Sequence, residues 1–312
     1  QVLPAAAITD LDLSRLPSRL PMLWGILGGA TLLGVVGLID DFRNLPWGPR
    51  LAVQVLVATG LVLGGVRGSL FVHNSLIGGV LTVLWMLVLV NSFNFLDNMD
   101  GLSPGIAMIA ATLFAAVMLV GTPQPHWLVA GVLLVLAGTL AGFLCHNWPP
   151  ATIFLGDAGS YFIGCLLAAF TVVGTFYEPD PETTSTSRHV ILAPLLILAI
   201  PLYDFTSVMV IRLARRQSLF KADKNHFSHR LVDLGLSRRN AVLTVHLITL
   251  MTGLGGVLLF HVTNWLSALL IVALVICILI VIAILETVAR PTSTGTPTSL
   301  SSDSEHDKET HA

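Results

Sequence analysis

The chain is 312 residues long, 54% hydrophobic and only 11% charged, where a soluble domain carries roughly 25% charged residues. That excludes an ordinary soluble domain. A formal net charge of -2, with the basic residues gathered locally, argues against nucleic-acid binding.

Residues 1–20 show neither a basic leader nor the apolar stretch of a signal peptide, and are expected to form an extracytoplasmic segment. Apolar runs close to the ~20 residues needed to cross a bilayer follow. They centre on 21–39, 50–66, 76–93, 102–121, 127–146, 159–176, 189–211, 240–261 and 265–286. The fold class is therefore all-α, a polytopic integral membrane helix bundle of about nine spans, with one transmembrane domain over 21–289. The Ser/Thr-rich stretch 290–312 cannot bury a core and is expected to be a disordered tail. Cys145, Cys165 and Cys277 lie in spans at no metal-ligand spacing, as small buried apolar residues would.

Four polar motifs interrupt the apolar sequence, and charge in or beside a membrane marks functional candidates. The first is Asp40-Asp41, directly after LLGVVGLI. It reads either as a helix-end acidic pair or as adjacent carboxylates whose repulsion raises one pKa and creates a proton acceptor. The second, NSFNFLDNMD over 91–100, sets Asn91, Asn94 and Asn98 along one helical stripe and Asp97 and Asp100 along the next. Oxygen ligands without thiols suit a hard cation such as magnesium. In the third, GDAGS over 156–160, Asp157 opens a span. The free N–H groups there favour an anion, and an aspartate N-cap gives the same pattern. The fourth, HFSH over 226–229, places His226 and His229 three residues apart beside Lys224 and Arg230, which reads either as a set able to hold a diphosphate or as a solvated basic loop that only sets topology. His73, His126, His146, His189, His246 and His261 fall near span ends, and His306 and His311 in the tail; no chemistry is assigned to them.

Residues 212–239 hold eight of the sixteen Lys and Arg residues, so this loop is expected to be cytoplasmic. Alternation of span direction then puts all four motifs on that face. A proton-coupled transporter is the competing reading, since intramembrane acids also build ion paths. An inactive membrane scaffold is a third.

In order, LIDDFRN, NSFNFLDNMDGLS, NWPPATIFLGDAGSYFIG, PLYDFTSVMVIRLARR and ADKNHFSHRLVDLGLS resemble the polyprenyl-phosphate N-acetylhexosamine-1-phosphate transferases, glycosyltransferase family 4. The likeness spans about 22–260 and is nearest to the bacterial undecaprenyl-phosphate GlcNAc-1-phosphate transferases. It implies transfer of a sugar 1-phosphate, GlcNAc-1-phosphate above all, from a UDP-sugar to a polyprenyl phosphate in the bacterial inner membrane, with release of UMP and initiation of cell-envelope glycan synthesis. It also implies Mg2+, with Mn2+ as a substitute, a cytoplasmic active site, and a homodimer as a candidate assembly. By motif, Asp157 is the implied principal metal ligand and Asn94 the second; Asp40, Asp41 and Asp97 are catalytic. Phe154 is the implied uracil-stacking aromatic, Asp100 and Asn147 lie by the uridine, and His226, His229 and Arg230 steady the diphosphate. The chain departs from the family at Asn98, where a glycine is usual, and at Ser228, where a histidine is usual. The family's N-terminal span and its Pro/Arg/Gly-Gly segment are also missing, so the chain is expected to be N-terminally incomplete.

Overall fold

A computed structural model describes residues 16–67, 75–122, 125–176, 188–216, 218 and 226–288. Lys221, Lys224, most of 1–20 and the 290–312 tail lie outside the described residues.

Every predicted run is helical, and no strand occurs among the described residues. The helices are α1 (Leu16–Arg43), α2 (Trp47–Leu63), α3 (Ser75–Leu96), α4 (Leu102–Ala116) with a π-helical turn at Val117–Gly121, α5 (Trp127–Asn147) and α6 (Gly156–Phe176). After a 3-10 turn at Arg188–Leu192 come α7 (Ala193–Ile197), α8 (Ala199–Ala214), α9 (Phe227–Asp233), α10 (Arg238–Leu258) and α11 (Trp265–Val288).

The expected count of about nine spans is corrected to seven long apolar helices, or eight if a bent pair is one span. Two runs account for the difference. α2 has only 17 residues, at the short end of what crosses a hydrocarbon core, and so falls outside the long class. The run 189–211 bends by 70° between Ile197 and Ala199. Pro201 explains the bend: it has no N–H to donate back to Ile197, and its ring clashes with that carbonyl.

α6 is the axis of the bundle, the most buried of the long spans at 72%, with α1 and α3 packed against it. Lipid supplies no hydrophobic drive between helices, so close contact depends on small residues. On α1, a Cβ at Gly37 would overlap the backbone carbonyl of Asp157; on α6, one at Gly164 would overlap the backbone of Val90 in α3. The crossing that seats Asp157 thus requires a glycine opposite it. Gly37→Val is expected to lower stability by roughly 1–3 kcal/mol through overpacking, whereas Gly28→Ala, which meets nothing within 4 Å, should hold it level or raise it by up to about 1 kcal/mol. Thermal unfolding of the two variants in one detergent checks this.

Candidate active site

The site begins at the end of α1. Asn44 adopts the left-handed conformation at φ 48° and its N–H returns to the Asp40 carbonyl at 2.8 Å, an αL helix stop followed closely by a proline, Pro46. The reversal lets Leu45 N–H donate to Asp40 Oδ1 at 2.6 Å and brings Arg50, in the first turn of α2, to Asp40 Oδ2 at 2.5 Å. The same Arg50 nitrogen lies 3.5 Å from Asp157 Oδ2. One guanidinium therefore serves two carboxylates from different spans.

Asp157 collects the other motifs. Its Oδ1 accepts from Asn94 Nδ2 on α3 at 2.6 Å. The Asp157 and Ala158 N–H groups donate to the two carboxylate oxygens of Asp41, at 2.9 and 3.2 Å. The N-terminus of α6, read from sequence as an anion site or a self-capped helix, is capped by an aspartate from α1. That carboxylate both satisfies orphan N–H groups and meets the positive helix end.

Asp97 lies in the turn after α3. Burial pushes its carboxyl up to about 7, and the charges of Asp157, Asp41 and Asp100 add to the rise, against a lowering hydrogen bond from Gly156 N–H. Nearby, Asp100 Oδ2 accepts from Ala151 N–H at 3.0 Å. Asn147 is buried, accepting from Gly101 N–H and donating to the Ile153 carbonyl, both at 2.8 Å. Asp100 and Asn147 thus brace the 148–155 loop, which presents Phe154 with 76% of its surface exposed.

The histidine motif docks onto the same end. Ser228 Oγ donates to Asn98 Oδ1 at 2.6 Å, so both residues that depart from the family pattern meet each other. His226 packs edge-on to Phe95 at 5.8 Å, and its ring lies 6.5 Å from that of His229. Arg230 turns elsewhere, its Nη2 lying 3.0 Å from Ser207 Oγ and 3.1 Å from Glu286 Oε1.

Three residues at or near the site were not singled out from sequence. Arg50 opens a predicted span and Asp204 and Glu286 lie within others; a charged residue in an apolar run is the signal that could have found them. Asp204 is fully buried on α8, accepting from His226 Nδ1 at 2.9 Å and from Phe227 N–H at 2.6 Å. It fixes the entry of α9 and orients the imidazole.

Among the described residues, no three His, Cys, Asp or Glu side chains form a metal-binding group. Asp157 carries a carboxylate, and Asn94, whose Nδ2 donates to it at 2.6 Å, carries an amide oxygen as well; oxygen donors of this kind suit magnesium, which keeps several waters and draws other ligands from substrate phosphate. Beside them a cavity of about 220 Å³ runs from Arg50 and Asn94 down between α2, α3 and α8, past Leu51, Val88, Phe205 and Met209.

A family model described as "Glycosyl transferase family 4" matches residues 23–175. A Bacillus subtilis protein named "probable undecaprenyl-phosphate N-acetylglucosaminyl 1-phosphate transferase" is 32% identical over 256 residues, covering 80% of this chain and 69% of its own length. The chain belongs to glycosyl transferase family 4. The decaprenyl-phosphate N-acetylglucosaminephosphotransferase of Mycobacterium tuberculosis is 34% identical over 244 residues, 71% of this chain and 59% of that protein. The Escherichia coli undecaprenyl-phosphate alpha-N-acetylglucosaminyl 1-phosphate transferase is 28% identical over 250 residues, 74% of this chain and 64% of that one. The chain thus spans about 60 to 70% of the lengths of these relatives. In this family 4 protein, the matched region includes Asp40, Asp41, Asn94, Asp97 and Asp157 but stops before the histidine motif.

Between the ordinary carboxylate value and about 7, folded Asp97 retains a proton that the unfolded chain has released. Stability therefore falls as pH rises through that window, with the full penalty above it. Asp97→Asn keeps an acceptor for Gly156 N–H and removes the charge. It is expected to melt above wild type at pH 8, and by less at pH 5, when both are heated in detergent without divalent cations.

Proposed function

We propose that the chain transfers a HexNAc-1-phosphate, most simply GlcNAc-1-phosphate, from a UDP-sugar to undecaprenyl phosphate and releases UMP. The observation that carries this reading is the convergence of motifs from α1, α3 and α6 on Asp157, whose partners Arg50 and Asn94 line a largely apolar cavity, in a family 4 chain. A site for this reaction needs both a charged end for a diphosphate and an apolar path for an isoprenoid, and the two adjoin here. The names of the relatives support the acceptor and the sugar. The basic character of 212–239 supports a cytoplasmic site, open to a nucleotide sugar.

In the proposed reaction an oxygen of the lipid phosphate attacks the sugar-bearing phosphorus of the UDP-sugar. A new P–O bond forms, the bond from that phosphorus to the bridging oxygen breaks, and the bridging oxygen leaves with UMP. A phosphate monoester is already largely ionised near neutral pH, so orientation and charge neutralisation carry most of the work. Asp157 and Asn94 would hold magnesium, with manganese as a substitute, which when bound supplies positive charge against the diphosphate. Arg50 adds a fixed cation between Asp40 and Asp157. Asp40 holds that guanidinium and stands ready to take a residual proton from the lipid phosphate; Asp41 fixes the start of α6; Asp97 tunes the charge of the cluster. His226 and His229 steady the diphosphate, and Phe154 stacks on the uracil from the loop braced by Asp100 and Asn147.

UMP release in detergent with undecaprenyl phosphate, magnesium and UDP-GlcNAc, run beside other UDP-sugars, tests the reading. Release should require lipid, donor and metal together. Asp157→Ala and Asp40→Asn are each expected to lower it about a hundredfold or more, the scale of losing a key electrostatic group, while both proteins still insert. Full turnover in either variant would overturn the assignment of these residues.

A further inference from the structure

α11 is the least buried of the seven long spans, with 17% of its window inside the protein, and its single charged side chain is Glu286. A lone acid in an apolar helix is expected to have a partner and a purpose. Glu286 is only 7% exposed, as is Arg230 of α9. Glu286 Oε1 lies 3.1 Å from Arg230 Nη2, and Glu286 Oε2 accepts from Tyr203 O–H at 2.9 Å. Arg230 also donates to Ser207 at 3.0 Å. Three helices, α8, α9 and α11, are thus pinned at one point beside a cavity of about 340 Å³. Arg230 stands one residue after His229 and four after His226, so whatever holds it holds the histidine helix.

We propose that Glu286 is a positioning residue: through Arg230 it seats α9 and so places His226 and His229 for the diphosphate. This rests on the transferase reading above and assigns Arg230 to the clamp rather than to the substrate. A buried pair with one member removed leaves an uncompensated charge, whereas replacing both members by apolar residues of similar volume is often tolerated. That asymmetry separates a clamp from a ligand. If Arg230 acts only by holding α9, removing Glu286 as well should rescue its loss.

The experiment compares Glu286→Leu, Arg230→Met and the double variant with wild type, reading steady-state kinetics for UDP-GlcNAc and deuterium uptake over 227–233. Each single change is expected to raise KM about tenfold or more with kcat within about threefold, the pattern of lost binding rather than lost chemistry. Each should also speed exchange in α9. The double variant should return both readouts most of the way to wild type. Unchanged KM and exchange in Glu286→Leu would overturn the proposal. So would a double variant as weak as Arg230→Met with exchange restored, because Arg230 would then touch substrate itself. Should a single variant fail to fold, Glu286→Gln, which keeps the shape and loses the charge, is read in its place. A raised KM with faster exchange supports the clamp, and wild-type values for both overturn it. If wild type releases no UMP, exchange alone decides the clamp, and the failure belongs to the transferase reading.

Discussion

The carboxylate of Asp157 at the start of α6 is the point on which the candidate site depends. A negative group at a half-buried helix end between three membrane spans is costly unless each oxygen and each neighbouring N–H has a partner. Asn94 and Arg50 take its oxygens, and Asp41 takes the N–H groups of the helix that carries it. These partners come from α1, α2 and α3. Satisfying one carboxylate therefore fixes the mutual arrangement of the polar ends of four helices.

Close approach between helices serves that arrangement. Gly37 lets α1 reach the backbone of Asp157, and Gly164 lets α6 reach α3. With lipid as the surrounding solvent, apolar area alone would not distinguish this crossing from others. Shape at the contact and hydrogen bonds at the polar end do so together. The break before α8 belongs to the same design. It turns Asp204 and Tyr203 toward the histidine helix, where an unbroken span would carry them along a different line.

Buried charge recurs at the second polar centre. Asp204 binds His226 and the first N–H of α9, while Glu286 and Ser207 hold Arg230 near its end. A seven-residue helix is too short to be stable by its own hydrogen bonds. Its geometry is set by these contacts and by Phe227, which is buried in the core.

The sequence by itself determined the class of the protein, the set of polar motifs and their meeting at one end, because hydropathy and the cost of charge in lipid act residue by residue and can be read locally. It also singled out Asn94 by its place on a polar helical stripe and Asp157 by its place at the opening of a span, while their pairing came from the family resemblance. It overcounted the long straight spans, since a hydropathy window does not register that one apolar run is a 17-residue helix and another a proline-bent pair. Only the tertiary structure decided which partner each polar group takes. That Asp41 caps a helix 116 positions away, that Arg50 bridges two carboxylates, and that Arg230 turns to Glu286 all follow from helix crossings. Those crossings are set by packing between distant segments, which no local pattern encodes.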